Sequence, residues 1–191
     1  MRAERITDVL LPQLVNLGLV LNDMEYHRRP EWNRFNGLVR RFLPRYERLT
    51  TQALAGSVWI NLHENGLGAP VPAIRLSDGT PRFLALLAIL LSPESAPLIC
   101  IDEPELGLHP DAMALLADLL VEASEKTPLI VTTHSDALVS ALTEHAESVL
   151  VCDYLENGTT LERLESEKLK FWLKKYRLGE VWRMGELGGN P

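Results

Sequence analysis

The apolar residues in the first part of the chain recur at three- and four-residue steps, the spacing of an amphipathic helix. Residues 1–25 contain the first such pattern, at Val9, Leu10, Leu14 and Leu17. A second pattern predicts a helix from Pro30 to about Leu54. Pro44 should kink or end that helix, because proline lacks the N–H that a helix interior needs. We therefore predict a helical region over residues 1–56.

Two extended runs flank a turn signal in the middle of the chain. Residues 57–64 and 70–76 lie on either side of the segment NGLG at 65–68, a combination that predicts a β-hairpin. The strongly apolar run that follows, at 83–92, predicts a helix.

From residue 98 onward, short apolar runs alternate with helical patterns. Strands are predicted at 98–102 and 128–134, helices at 110–126 and 136–146, and a last pair of strands around Asn157-Gly158. This alternation is typical of a mostly parallel α/β sheet flanked by helices. The runs LICI and LIVT are apolar without a polar alternation, so both strands are expected to be covered on both faces. We predict one α/β domain over 57–162, with 163–191 as its C-terminal helix and tail.

Composition narrows the class of protein without changing this picture. The chain has 191 residues, 46% hydrophobic and 24% charged, which is the balance of an ordinary globular domain with one core. Its longest apolar run, from Phe83 to Leu91, is too short to span a membrane, and charges interrupt any signal-peptide core at the N-terminus. We expect a cytoplasmic protein with no membrane partner.

The formal net charge of −7 excludes a global attraction to nucleic-acid phosphates. A local basic patch is the remaining route to DNA, and one arginine-rich stretch could supply it: Arg28, Arg29, Arg34, Arg40, Arg41, Arg45 and Arg48. Arg34, Arg41, Arg45 and Arg48 could share one helical face. The alternative is a solvated face whose charges pair with Glu25, Glu31 and Glu47.

The two cysteines, Cys100 and Cys152, each lie within an apolar run that is predicted to form a strand. Such positions are typical of buried, reduced thiols. Neither cysteine has the spacing of a zinc site with the scattered histidines His27, His63 and His145.

The first chemical signal is the pair Asp102-Glu103, which ends the apolar run at 98–102. Carboxylates at the end of a buried strand are unfavourable unless a cation or a reacting water meets them. In phosphoryl transfer one carboxylate holds Mg²⁺ and another can orient and deprotonate the attacking water. The alternative is that both acids merely cap the next helix.

The second signal is the segment Leu76-Ser77-Asp78-Gly79-Thr80, which directly precedes the predicted helix at 83–92. Small residues at a helix N-terminus expose backbone N–H groups and the positive end of the helix dipole, which favour an anion. A plain helix cap by Ser77, Asp78 or Thr80 is the alternative.

The third signal is His134, at the end of the strand predicted over 128–134. A histidine just past a neighbouring parallel strand can reach the same ligand-binding end of the sheet as Asp102 and Glu103. A lone histidine at such a place is also compatible with a purely structural role.

Taken in this order, LSDGT at 76–80, LICIDEPELGLHP at 98–110 and VTTHS at 131–135 resemble the ABC-type ATPases. The resemblance is strongest to the SMC, RecF and OLD branch, which includes many prokaryotic ATPases of AAA type. It covers residues 57–154 and, more weakly, the C-terminal tail. It implies the fold of the C-terminal lobe of an ABC-type P-loop NTPase, with ATP and Mg²⁺ as cofactors.

The resemblance also implies a role for each matching residue. Asp102 would be the Walker B carboxylate that holds Mg²⁺, Glu103 the catalytic base, and His134 the switch histidine that senses the γ-phosphate. Ser77, Asp78 and Gly79 would belong to the signature motif, which contacts the γ-phosphate of ATP held by the opposite subunit. Leu108 and His109 would lie in the D-loop, at 106–110, which crosses the dimer interface.

Two departures from the transporter members of this class favour the SMC, RecF and OLD branch. LSDGT differs from the transporter signature LSGGQ at its third and last positions, and GLHP replaces a transporter-type D-loop. An ABC transporter subunit is therefore the weaker hypothesis.

A third departure is larger, because the sequence contains no G-x-x-x-x-G-K-[ST] phosphate loop. Without it there is no cradle for the β- and γ-phosphates and no lysine to neutralise them. The chain therefore resembles the C-terminal portion of a longer or split ATPase, and alone we expect it to be inactive.

Two functional hypotheses follow. In the first, the chain completes an ATP-hydrolysing site at a head-to-tail interface, either as a homodimer or with an N-terminal half that carries Walker A. A link to DNA repair or phage defence, through DNA or a nuclease partner, is implied by the branch. In the second, the chain is a non-catalytic remnant or regulatory module that keeps the fold without ATP turnover.

Overall fold

The computed structural model describes residues 16–54, 56–92, 96–155 and 158–189. Among these, the chain forms two compact units. The first comprises the described residues within 16–99 together with Leu106–Leu108 and Glu122–Leu129, and the second Cys100–Glu105, His109–Val121 and the described residues within 130–189.

The first two described elements of the first unit are helices, α1 at Leu17–His27 and α2 at Arg29–Phe42. The helix expected over 1–25 thus includes α1, while Val9, Leu10 and Leu14 lie outside the described residues. Helix α2 ends before Pro44, as predicted. The buried side chains of α2 are spaced as an amphipathic helix requires: Trp32, Phe35, Leu38 and Val39.

Residues beyond Pro44 correct the sequence-based expectation. Tyr46–Leu54 is a strand, β1, not the end of a helix. It pairs antiparallel with β2, Ser57–Glu64, with Leu49 opposite Leu62. The proline ends the helix, and the following stretch is rich in the tyrosine and threonine that favour a pleated surface. The main hairpin is therefore β1–β2.

The predicted pairing of 57–64 with 70–76 is present only as a short extension. Strand β3 is limited to Val71–Pro72, and a 3₁₀ turn follows at Ala73–Arg75. The sheet order is β1-β2-β3, with both pairings antiparallel. Proline cannot donate a backbone hydrogen bond, which is why it lies at the end of this edge strand.

Helix α3, Gly79–Leu90, contributes more buried apolar side chains to the first unit than any other described helix or strand. Its buried residues include Phe83, Leu84 and Leu87, each fully inaccessible. The Phe83 ring packs on Phe42 of α2 with centroids 3.9 Å apart. In the same unit α1 approaches β2 so closely that a Cβ on Gly18 would lie 2.3 Å from the Val58 carbonyl oxygen.

The central strands are β4, Ile99–Asp102, and β5, Leu129–Thr132. The Ile99 N–H donates to the Pro128 carbonyl and the Glu103 N–H to the Thr132 carbonyl, so the pairing advances in the same direction along both strands. This is the expected parallel pairing. Helix α4, Met113–Ser124, connects the two strands after a 3₁₀ turn at Pro110–Ala112.

The rest of the second unit comprises helices α5, α6 and α7, the 3₁₀ segment Thr143–Ser148 and the antiparallel hairpin β6–β7. The helices are α5 at Asp136–Ala141, α6 at Ser166–Leu173 and α7 at Leu178–Arg183. The strands are β6 at Leu150–Leu155 and β7 at Gly158–Arg163. Val139, Ala146, Leu169 and Leu178 form the buried core of this region, and Trp182 packs against it. The hairpin and the tail helix were both predicted.

The expectation that the central strands are covered on both faces was wrong for the described part of the molecule. Burial alternates along β4 and β5, and Cys100 is exposed, as is Cys152 on β6. Ile130 is 56% exposed. Both cysteines are free thiols, as expected, but they are not buried. Each side chain lies on the strand face that no described element covers.

Within the described residues, no helix is both long enough and apolar enough to cross a membrane.

Candidate functional site

Asp102 ends β4 and lies beside the end of β5. The Thr132 hydroxyl donates a hydrogen bond to Asp102 Oδ1. Both side chains belong to the exposed positions of their strands. The hydroxyl therefore orients a carboxylate that remains open to solvent, and one Asp102 oxygen is free for a further ligand.

Thr132 was not singled out from the sequence. Its signal is present, however, because a hydroxyl residue at the end of the strand adjacent to Asp102 must lie close to it once the strands pair in parallel. Only the register, set by the Glu103 N–H to Thr132 carbonyl bond at 3.1 Å, shows that these two residues meet.

Glu103 adopts a strained backbone conformation. Its φ of 44° makes it the one non-glycine residue with a positive φ in the part of the chain that the structure describes. Such a conformation costs about 1–3 kcal/mol and persists where the surroundings impose it, often at functional sites. Here the Glu103 N–H is held by the Thr132 carbonyl, and the buried Pro104 follows.

Glu103 and His134 lie at the same edge of the β4–β5 sheet, as the sequence predicted. His134 Nε2 lies 3.8 Å from Glu103 Oε1. This distance is too long for a direct hydrogen bond but leaves both groups free to contact one small molecule between them. The His134 side chain is 74% exposed and that of Glu103 34% exposed.

Glu105 is a second residue that the sequence did not point to. Its Oε1 accepts hydrogen bonds from the Thr133 hydroxyl, at 2.6 Å, and from the His134 backbone N–H, at 3.1 Å. It therefore connects the segment after β4 to the segment after β5. No spacing rule would have shown this, because the strained turn at Glu103 determines where Glu105 points.

The signature residues begin α3 in the first unit. Ser77 and Asp78 are exposed, whereas Gly79 and Thr80 are buried. The Ser77 carbonyl accepts from the Thr80 N–H, and the two hydroxyls lie 3.3 Å apart. Asp78 occupies the N-cap position in helical geometry without a side-chain cap. The Thr80 N–H is thus already bonded and Pro81 has no N–H, so the Gly79 N–H is the donor of this first turn that no cap side chain satisfies.

The D-loop segment at Leu106–Leu108 belongs to the same unit as the signature residues. A Cβ built on Gly79 would lie 1.9 Å from the Gly107 carbonyl oxygen, so the two backbones are in direct contact. Gly107 itself has φ 78°. Two glycines are needed here, one for the close approach and one for the conformation.

His109, also predicted to lie in the D-loop, performs a local task. Its Nδ1 accepts a hydrogen bond from the Asp111 N–H at 3.3 Å and so caps the 3₁₀ turn at Pro110–Ala112. The side chain is exposed, as is that of Leu106, while Leu108 is half-buried.

The arginine-rich stretch is largely paired. Arg34 forms a two-bond ion pair with Glu122, and this pairing holds the pKa of Glu122 below its ordinary value. Arg28 pairs with Asp23 and Arg48 with Glu47. Arg45 and Arg48 lie beyond the end of α2, so the expectation that they share a helical face with Arg34 and Arg41 was wrong.

The chemistry of this site fits Mg²⁺ if the protein, water and substrate phosphates share its coordination. Among the described residues, no group of three or more histidine, cysteine, aspartate or glutamate side chains could hold a metal alone. Mg²⁺ usually needs only one or two protein carboxylates, since waters and substrate phosphates supply the other oxygens. The exposed, oriented carboxylate of Asp102 meets that requirement.

The fold of this chain is that of the SMC head structures. Solved SMC structures share this fold. One, from work on ATP-driven dimerization and DNA-stimulated activation of SMC ATPases, matches 84% of this chain and 99% of that chain, at 17% identity and a TM-score of 0.57. An SmcHead bound to the C-winged helix domain of ScpA matches 87% of this chain and 55% of that chain, at 17% identity and a TM-score of 0.61.

Sequence comparison shows the family. Residues 23–140 match the family described as "AAA domain, putative AbiEii toxin, Type IV TA system", and the chain belongs to that family. It is also 40% identical over 80 residues to the Old nuclease of Escherichia phage P2. That alignment spans 41% of this chain but 13% of the nuclease, so the chain matches a small part of that protein's length. The predicted relationship to the SMC and OLD branch is confirmed.

Proposed function

We propose that this chain completes an ATP-hydrolysing site by supplying the metal carboxylate, the catalytic base, the switch histidine and the signature motif. The observation that carries the proposal is the arrangement at the ends of β4 and β5. Asp102 is oriented by Thr132, and Glu103 lies 3.8 Å from His134. A metal ligand, a base and a phosphate-sensing group are the parts that phosphoryl transfer to water requires.

Each residue would act in a distinct way. Asp102 would hold Mg²⁺, which neutralises charge on the phosphates when it is bound. Glu103 would orient the attacking water and take its proton, and His134 would donate a hydrogen bond to the γ-phosphate. Because Glu103 Oε1 and His134 Nε2 are 3.8 Å apart, one water or phosphate oxygen can contact both side chains.

The phosphate loop would come from outside these 191 residues. The strand positions Cys100, Asp102, Ile130 and Thr132 form an exposed face. Exposed apolar area on the face that carries Asp102 favours cover by a second polypeptide segment. We propose that this segment belongs to an N-terminal half of the ATPase, which carries the Walker A loop.

Ser77 and Gly79 would act on a second nucleotide. The uncapped N-terminus of α3 offers the Gly79 N–H, the Ser77 hydroxyl and a favourable dipole to an anion. In a head-to-tail dimer, the signature motif of one subunit would contact the γ-phosphate of ATP bound to its partner. ATP would thereby hold the interface together, and hydrolysis would release it.

A structure of the assembly with Mg²⁺ and a non-hydrolysable ATP analogue tests this geometry. We expect Asp102 to contact Mg²⁺ directly or through water, and Ser77 to approach the γ-phosphate bound to the opposite subunit. A nucleotide bound away from the ends of β4 and β5 would refute the assignment of Asp102 and Glu103. A nucleotide at Asp102 with Ser77 in solvent would refute only the head-to-tail interface.

DNA or a nuclease is the proposed partner of the assembly, in DNA repair or phage defence in the cytoplasm. The family description, the phage nuclease match and the SMC fold support this proposal. Arg41 and Arg45 are exposed and are the cations of the arginine-rich stretch best placed to contact a phosphate backbone.

Charge reversal of Arg41 and Arg45 tests the DNA proposal. The double change to glutamate should weaken DNA retention by the assembly and reduce the salt-dependence slope by about 2, one for each lost phosphate contact. Arg34→Gln is the matched control, because Arg34 is already paired with Glu122. Equal retention by the wild-type and doubly reversed assemblies would remove this surface from consideration.

A non-catalytic remnant is the second candidate function. The observation that favours it is the missing G-x-x-x-x-G-K-[ST] motif. The oriented Asp102 and the strained Glu103 favour the first function, because nothing in a non-catalytic remnant would require backbone strain at the half-buried Glu103.

A further inference from the structure

Glu105 has hydrogen bonds that ordinary helix or strand formation does not explain. It follows the proposed base by two residues, and its Oε1 accepts from both the Thr133 hydroxyl and the His134 backbone N–H. The second bond matters most, since a bond to the backbone fixes the position from which the His134 side chain extends. Rotation about the side-chain bonds of His134 can then place the imidazole only within a small region.

The same contacts continue to the following helix. The Thr133 hydroxyl accepts from the Ser135 N–H at 3.0 Å while it donates to Glu105. The Ser135 hydroxyl in turn accepts from the Leu138 N–H and caps α5. Glu105 thus ends a connected set of hydrogen bonds that runs from the turn after β4 through the His134 segment to a helix terminus.

The second carboxylate oxygen of Glu105 indicates that this residue does more than stabilise the fold. Glu105 Oε2 is buried and has no hydrogen-bond partner among the described residues. An unsatisfied buried carboxylate oxygen is unfavourable, so such a group calls for an explanation beyond folding. The Oε1 bonds to the His134 segment supply one.

We propose that Glu105 is the positioning residue of the switch histidine. It holds the His134 backbone so that the imidazole stays beside Glu103, and it acts on the reaction only through His134. This inference rests on the proposed function of Glu103 and His134 and adds a residue that the family resemblance did not assign.

The first test uses amide hydrogen exchange in the 191-residue chain itself, without nucleotide. Glu105→Ala should raise the exchange rate of the His134 amide about tenfold or more, because its acceptor is lost. Glu105→Gln should keep the wild-type rate, since the amide oxygen can accept both bonds. Unchanged His134 exchange in Glu105→Ala would overturn the proposal. If Glu105→Ala does not fold, Thr133→Val serves instead, because it removes the 2.6 Å bond that holds Glu105 Oε1 in place. The His134 amide should again exchange faster than in the wild type, and an unchanged rate would overturn the proposal.

The second test measures steady-state ATP hydrolysis by the assembly that contains a phosphate loop. Glu105→Ala should lower kcat about 100-fold with little change in KM, because a misplaced sensor affects the transition state more than ATP binding. Glu105→Gln should restore most of kcat. A structural role alone would lower the unfolding midpoint of Glu105→Ala and leave kcat per folded molecule unchanged, which would refute the proposal.

Different results would refute the role of Glu105 and the function of the whole site. If wild-type assembly hydrolyses ATP and Glu103→Gln abolishes that activity while Glu105→Ala does not, only the positioning role of Glu105 is refuted. If the wild-type assembly hydrolyses no ATP, the proposed function fails and the role of Glu105 fails with it.

Discussion

Replacing Glu103 with glutamine should reduce ATP turnover by about 10²–10⁴-fold in an assembly that contains a phosphate loop, the range expected for loss of a general base. Glutamine has nearly the shape of glutamate but cannot accept the proton of the attacking water. ATP and Mg²⁺ should still bind, because Asp102 and its bond from Thr132 are unchanged.

The Glu103→Gln assembly should therefore accumulate as an ATP-bound dimer with a longer lifetime than the wild type. Size-exclusion chromatography with bound nucleotide measured in the dimer peak reports this directly. Glu144→Gln is the matched control, since Glu144 is an exposed glutamate outside the site, and it should behave as the wild type. A Glu103→Gln assembly with wild-type turnover would show that another group removes the proton.

Replacing Gly79 with alanine should destabilise the first unit by about 3 kcal/mol, the upper part of the range for overpacking. The added Cβ would lie 1.9 Å from the Gly107 carbonyl oxygen, and a backbone atom cannot move aside as a flexible side chain can. The start of α3 must shift away from the D-loop segment, which would also displace Ser77. The midpoint of urea unfolding measures the loss.

Gly37→Ala provides the matched control for that measurement. Gly37 lies within α2, and nothing lies within 4 Å of a Cβ built on it. Alanine should stabilise the helix there by about 0.5–1 kcal/mol, because glycine loses more conformational freedom on folding. If Gly79→Ala and Gly37→Ala shift the midpoint in the same direction, the close contact between the signature and the D-loop does not exist in solution.

The clustering of polar side chains at the ends of β4 and β5 was predictable, because it depends on only a few residues. Two apolar runs of strand length, each followed by polar groups, must place those groups at one edge if the strands pair in parallel. Asp102, Glu103 and His134 meet for this reason. The end of α2 was predictable for a similarly local reason, since Pro44 prevents helix propagation whatever its surroundings.

Strand β1 was not predictable, because the helical spacing before Pro44 suggested continuity, and only pairing with β2 stabilises the extended form of Tyr46–Leu54. The roles of Thr132 and Glu105 depend on strand register and on the φ of 44° at Glu103, which no composition or spacing encodes. The burial of Cys100 was misjudged because it depends on what covers the strand, and no described element does.

The domain boundaries predicted at residues 56 and 162, and the roles assigned to Leu108 and His109 in binding across an interface, stay predictions. The contact between Gly79 and Gly107 supports a shared task for the signature and D-loop segments, which lie in one compact unit.

The most direct test of the central claim is Mg²⁺-dependent ATP hydrolysis measured for the 191-residue chain alone and after addition of a polypeptide that carries a Walker A loop of this family. The chain alone should show negligible turnover. The mixture should hydrolyse ATP, and Glu103→Gln in this chain should remove the activity. Robust turnover by the pure chain would contradict the proposed function. A mixture that binds ATP and Mg²⁺ but never hydrolyses ATP would also contradict it and would favour the non-catalytic remnant.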